Sequence, residues 1–179
     1  PHILDELLEY HIDECSAKYN HLIQIIEQIK IRNEKLLIFS SYTKMIDMLV
    51  SDVANRFNIW TNKIDGQVEL DLRQPLIDEF SEKGGSALLV LNPKAGGAGL
   101  NITAANHVIH YNPEWNPATE DQASARAYRL GQDKPVTIHR FIYADTVEDV
   151  MDMRLARKRS LAEQVVVGTK GEDARDLEL

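Results

Sequence analysis

Cysteine is almost missing from this chain. Cys15 is the single one among 179 residues, so no internal disulfide can form, and a reducing compartment suits the chain. The six histidines are scattered without metal-ligand spacing, and no metal site is expected. No run of about 18 apolar residues occurs, which excludes a transmembrane helix and keeps the membrane off the list of partners. A signal-peptide pattern is missing as well, and cytoplasmic localisation is expected. Excess positive charge is also lacking: 20 Lys and Arg stand against 28 Asp and Glu, a net charge of −8. A nucleic-acid binder usually leaves a basic footprint, so such binding here requires a local patch or a partner domain. There is no GxxxxGK[ST] and hence no Walker A loop. Internal repeats are absent. The chain opens on Pro1 rather than Met and is expected to be a piece of a larger protein.

What is present is a 44% hydrophobic composition, enough for a sizeable core, organised around the stretch from Ala87 to Gln132. Ala87 to Leu91 is an apolar run of strand length. It empties into the glycines Gly96, Gly97 and Gly99, with Lys94 just before them. Three glycines in four positions serve either a tight turn or a cradle of N–H groups for a phosphate; spacing alone does not choose. A second apolar run, His107 to Tyr111, follows. Asn116 and Pro117 then mark a helix start as N-cap and N1. In a helix, Gln122, Arg126 and Arg129 share one face, and Gly131 is a natural stop. An arginine pair at this spacing is by default a solvated stripe. Its place just after a buried-type strand, where open α/β sheets bind ligands, favours a site.

The rest of the chain alternates strand and helix. Residues 1–33 read as a helical arm, with Leu22, Ile25, Ile26 and Ile29 at helix spacing and Ser16 as a cap. Lys35 to Phe39 is a strand; Ser40, Ser41 and Thr43 can cap the next helix, which turns Met45, Ile46, Leu49 and Val53 inward. Phe57 to Ile64 reads as a weak strand. Asp71 can cap a helix carrying Leu72, Leu76 and Phe80, with Pro75 tolerated in its first turn. Trp115 falls in a loop, where it either anchors the loop or stands exposed, an unusual state for tryptophan that suits stacking on nucleic acid. A last strand spans Val136 to Tyr143. Thr146 to Asp149 resembles a capping box for a helix over 146–167 that carries Val147, Val150, Met151 and Leu155. Residues 168–179 are expected to be disordered. This βα alternation implies a parallel sheet covered on both faces.

Four strings carry a family resemblance. Leu36 to Thr43 resembles motif IV, Ala95 to Ala105 motif V, Glu114-Trp-Asn-Pro117 a DWNP-type signature, and Gln122 to Gln132 motif VI, of the Swi/Snf-type ATPases in helicase superfamily two. The resemblance runs from about Ser16 to about Val166. The Leu-Gly-Gln ending of motif VI sets it apart from the DEAD-box RNA helicases. Departures are Tyr128 where His is common, Glu114 where Asp or Trp is common, and Asn92-Pro93-Lys94 in place of a Ser-Thr-Arg or Ser-Leu-Lys; these look like a microbial or phage-type variant, bacterial or archaeal and nucleoid-associated.

The resemblance implies an α/β, three-layer RecA-like lobe over 34–145 with helical extensions at both ends. It implies ATP with Mg²⁺ bound at the interface with a first RecA-like lobe, and double-stranded DNA as partner. Arg126 and Arg129 would act on the γ-phosphate, with Gln122, Gly97 and Gly99 at the nucleotide. Ser41, Tyr42, Arg73, Lys94, Gly96, Asn101 and Trp115 would face DNA. Two other readings are a non-catalytic RecA-like docking module, which has no need of Arg126 and Arg129, and an RNA-directed helicase lobe.

Overall fold

A computed structural model describes residues 17–95 and 99–172, the side chains of residue 159 and of 161–172 excepted. The elements run α1 (Ala17–Ile31), β1 (Lys35–Phe39), α2 (Thr43–Phe57), β2 (Trp60–Ile64), α3 (Leu70–Glu82), β3 (Ala87–Leu91), β4 (His107–His110), α4 (Pro117–Ser124), β5 (Thr137–Arg140) and α5 (Val147–Glu172). Among the described residues the strands form one five-stranded sheet in the order β2-β3-β1-β4-β5, parallel throughout.

The period of two along each strand builds two cores. From β1, Leu36 and Ile38 point to one face, where Tyr19, Leu22, Ile26 and Ile29 of α1 and Ile46, Leu49 and Val53 of α2 cover them. Leu37 and Phe39 point to the other, against Ile77 and Phe80 of α3 and Ala123 of α4. β1 and β3 are buried on both faces, which is why they read as unbroken apolar runs. β5 is an edge strand and largely exposed.

Several element ends differ from the expectations. Tyr42 is the N-cap of α2 and makes no side-chain cap bond; the Ser40 hydroxyl instead accepts the Tyr42 N–H at 3.3 Å. α2 runs through Phe57 and closes on Asn58 at φ 50°, so the strand after it starts at Trp60. α3 begins at Leu70, which puts Asp71 inside the first turn and Pro75 inside the helix. Its inward face is Arg73, Ile77 and Phe80, while Leu72 is exposed: the helix starts before Asp71, and its buried stripe runs through Arg73, whose protons are accepted by carbonyls. On α5, Met151 and Leu155 are buried while Val147 and Val150 are exposed. This helix continues through Gly168 to Glu172 instead of giving way to a disordered tail. The arm expected over 1–16 and the end of the chain from 173 lie outside the described residues.

Two polar clusters tie the layers together. Lys18 of α1 reaches Glu148 of α5 at 2.7 Å and lies over the rings of Tyr143 and Tyr111. Glu148 also accepts the Tyr143 N–H at 2.9 Å, and the Thr146 hydroxyl accepts the Glu148 N–H at 3.2 Å, so the start of α5 is capped and pinned at once. Beside β4, Glu34 accepts from Asn106 at 3.0 Å and meets His107 Nε2 at 2.6 Å. Burial opposes ionisation of Glu34, but these bonds outweigh it and hold its pKa below the ordinary value. His139 stacks on His107 at 5.9 Å. Burial, then the charges of His107 and His21, push the His139 pKa down.

Two outcomes follow from this packing. Leu89→Ala, at a fully buried site, should cost about 2–5 kcal/mol in urea unfolding, whereas Leu72→Ala should cost less than about 0.5 kcal/mol. A depressed His139 pKa means that the unfolded chain binds the proton first. Stability should therefore be full above the ordinary value of 6.5 and fall as pH drops through the window below it. Melting temperatures between pH 7 and pH 5 should show this fall, flattened in His139→Gln; the loss tied to Glu34 should begin only below its ordinary 4.5.

Candidate nucleotide and nucleic-acid site

Because every strand runs the same way, the segments that leave β1, β3, β4 and β5 collect at one edge of the sheet. The residues singled out in the sequence emerge there. They frame a cleft of about 460 Å³ lined by Pro93, Lys94, Gly99, Thr119, Gln122, Ala125, Arg126 and Arg129.

The segment that carries the arginines lies across this edge and is held by polar bonds. Asn116 caps α4 with its side chain on the Ala118 N–H, and Pro117 takes the first turn, as the sequence implies. The inward face of α4 is then Glu120, Ala123 and Ser124. Glu120 pairs with Arg140 at the end of β5 at 3.0 Å. Ser124 bonds His110 at the end of β4 at 2.8 Å, and the His110 ring stacks on Phe39.

The helix ends at Ser124 and does not reach Arg129. After it, the Arg126 and Ala127 N–H groups bond to Ala123 and Ser124 carbonyls three residues back, the tightened geometry of a fraying end. Arg126 and Arg129 thus do not share a helix face. Arg126 turns inward and is 6% exposed. One Nη donates to the Pro93 carbonyl at 3.0 Å, the guanidinium lies over the Phe39 ring at 5.7 Å, and Nη1 is buried with no hydrogen-bond partner. Burial, and then the charge of Arg129, draw its pKa below the ordinary value. Arg129 and Gln122 are exposed. The edge therefore presents one arginine fixed within the wall and one free at the rim.

The turn between the glycines and β4 is locked to this segment. The Ile102 N–H donates to the Arg126 carbonyl at 2.8 Å, and Gln132 Nε2 donates to the carbonyls of Thr103 and Ala105 at 2.9 and 2.7 Å. Gly99 has φ +120°, a conformation that favours glycine. Gly96 and Gly97 lie outside the described residues.

The residues expected to face DNA divide. Tyr42, Lys94, Asn101 and Trp115 are exposed, Trp115 at 58%. Ser41 is half-buried and donates to Glu114, whose N–H is accepted by Glu120 at 3.1 Å. Arg73 is buried, and its guanidinium donates to the carbonyls of Val68 at 3.0 and 3.1 Å, Asp65 at 3.4 Å, and Ala95. The arginine expected on a phosphate is thus turned into the fold, where it ties the start of α3 to the segment that leads into the glycines. Glu120, Ser124, His110 and Gln132 escaped the sequence reading. The signal for Glu120 is its position: with a cap at 116, residues 120 and 124 must face the sheet.

The helicase conserved C-terminal domain family matches residues 17–131. YwqA of Bacillus subtilis is 39% identical over 151 residues, covering 84% of this chain and 16% of the relative. The DNA repair and recombination protein RAD54 of Saccharomyces cerevisiae is 36% identical over 84% of this chain and 17% of its own length. The chain thus spans about a sixth of these relatives. Two solved structures superpose on it. The C-terminal part of the Fun30 ATPase domain does so with a TM-score of 0.73 and 34% identity, over 85% of this chain and 50% of that one. The Sulfolobus solfataricus SWI2/SNF2 ATPase core in complex with dsDNA gives 0.67 and 32%, over 82% and 30%.

The two arginines should separate in stability. Arg126→Ala removes a buried stack and a charged hydrogen bond and should cost on the order of 2 kcal/mol, read as a lower melting temperature. Arg129→Ala should leave the melting temperature unchanged.

Proposed function

The chain belongs to the helicase conserved C-terminal domain family, among the SWI2/SNF2-type ATPases of superfamily two, and on that footing we propose that it is the second motor lobe of an ATP-dependent translocase on double-stranded DNA. The observation that carries this reading is the arginine pair at the carboxyl edge: Arg126 walled in against Phe39 and Pro93 with an unused buried N–H group, and Arg129 exposed beside it.

In this reading ATP sits between the cleft and a first lobe that carries the Walker A loop. The cleft's lining offers guanidinium, ammonium, amide and hydroxyl groups, a set that fits a polyphosphate. Among the described residues the lining holds no carboxylate, and Mg²⁺ is assigned to the first lobe and the nucleotide. Arg129 is free to extend toward the γ-phosphate and stabilise charge that builds in the transition state. Arg126 has fixed geometry and acts from the wall. Gln122, exposed on the lining of the same cleft, offers an amide to the nucleotide.

The DNA grip is assigned to Trp115, Tyr42, Lys94 and Asn101, which are exposed on the segments that leave β4, β1 and β3, and to Ser41 through its loop. The Sulfolobus core, a relative by fold and sequence, was solved on duplex DNA. Motion follows when closure of the two lobes on ATP shifts this grip against that of the first lobe.

The purified 179-residue chain should hydrolyse no ATP, since half the site is supplied from outside it. In the longer protein, Arg129→Ala should lower kcat by about 10³-fold or more with nucleotide affinity little changed. Steady-state turnover and nucleotide titration on the same preparation test this. Hydrolysis at the parent rate in a normally melting Arg129→Ala protein would overturn the assignment.

A further inference from the structure

Glu120 is a carboxylate at 1% exposure in the middle of a surface segment. Burying a charge is costly unless partners meet it, and for fold alone an apolar side chain often serves as well. What this carboxylate does with its two oxygens is therefore informative. Oε2 takes Arg140 Nε at 3.0 Å. Oε1 accepts the backbone N–H of Glu114 at 3.1 Å, the residue directly before Trp115. Glu114 in turn accepts the hydroxyl of Ser41. The loop over 111–116 has no helix or strand of its own, so its position depends on such bonds. At the other side of the same eight-residue helix, Gln122 lines the cleft.

We propose that Glu120 is a positioning residue: it fixes the Trp115 loop to α4, so that the loop carrying the exposed tryptophan moves as one body with the helix that borders the nucleotide cleft. A charge-assisted bond to a backbone N–H is about twice as strong as a neutral one, and an unpaired loop N–H is unfavourable, so the loop and helix stay together when either is displaced. Arg140, with its side chain 38% exposed, supplies the partner charge for the Glu120 carboxylate at 3.0 Å. Only the last step, from loop to DNA, rests on the proposed function above.

Trp60→Phe leaves Trp115 as the one tryptophan of the chain, which has 2. In that background, fluorescence anisotropy and iodide quenching report the loop without ATP or DNA. Glu120→Ala should lower the anisotropy and raise the quenching constant by about twofold. Glu120→Gln keeps an acceptor for the Glu114 N–H but loses Arg140, and should fall between, as should Arg140→Ala. If Glu120→Ala fails to fold, these two milder variants decide. Unchanged Trp115 emission in the folded variants overturns the proposal.

In the longer protein, duplex-DNA titrations of Trp115→Ala, Glu120→Ala and the double variant form a cycle. Equal single losses and a double loss no larger support action through the loop; additive losses overturn it. A changed fluorescence with DNA binding unaffected in all three upholds the positioning role and removes Trp115 from the DNA grip.

Discussion

The seating of one short polar segment on the carboxyl edge of the sheet is the constraint on which the candidate site depends. α4 contributes little apolar surface. It is held where it is by Glu120 on Arg140, Ser124 on His110, and Arg126 on Phe39 and the Pro93 carbonyl. These contacts reach the ends of β5, β4 and β1 and the residue row just past β3. Each bond is directional, so together they set the rotation of the segment as well as its place. A purely apolar face would have allowed it to slide, because hydrophobic contact carries no direction.

That arrangement separates two arginines that look equivalent in the sequence. Arg126 is desolvated, stacked and bonded, and its position is decided before any ligand arrives. Arg129 retains its freedom at the rim. A preorganised donor loses no ordering entropy when charge develops near it, whereas a mobile one can follow a substrate that enters with another domain. The pair provides both properties within four residues, and it does so because the helix stops at Ser124. Had α4 continued to Gly131, both guanidinium groups would project from one face at similar exposure.

The parallel sheet, its two cores and the meeting of the glycine and arginine segments at its carboxyl edge were legible in the sequence because they rest on period-two apolar runs and on marked helix starts. The Asn116-Pro117 start, for example, appears as read. The end of α4 was not legible, since Ala and Arg favour continued helix, while the contacts of Arg126 with Phe39, Pro93 and Ile102 are remote in sequence. Arg73 misled for a related reason. A lone arginine on a helix reads as surface, and nothing local reveals that the carbonyls of Asp65, Val68 and Ala95 converge on it. Trp115 left both outcomes open, because a large ring in a loop is equally at home as an anchor; in the structure the ring is exposed, and polar bonds of Ser41, Glu114 and Glu120 hold the loop.

The same accounting resolves the net charge of −8. Five cations of this chain are engaged within the fold. Lys18 is paired with Glu148, Lys63 with Asp47 and Asp65, Arg73 with carbonyls, Arg126 with the sheet edge, and Arg140 with Glu120. Lys94 and Arg129 stay exposed, and both lie on the cleft. A phosphate approaching this edge meets those charges at close range, while charges more than a Debye length of about 8 Å away are largely screened. Local placement, and not the sum over the chain, sets which ligand the edge attracts.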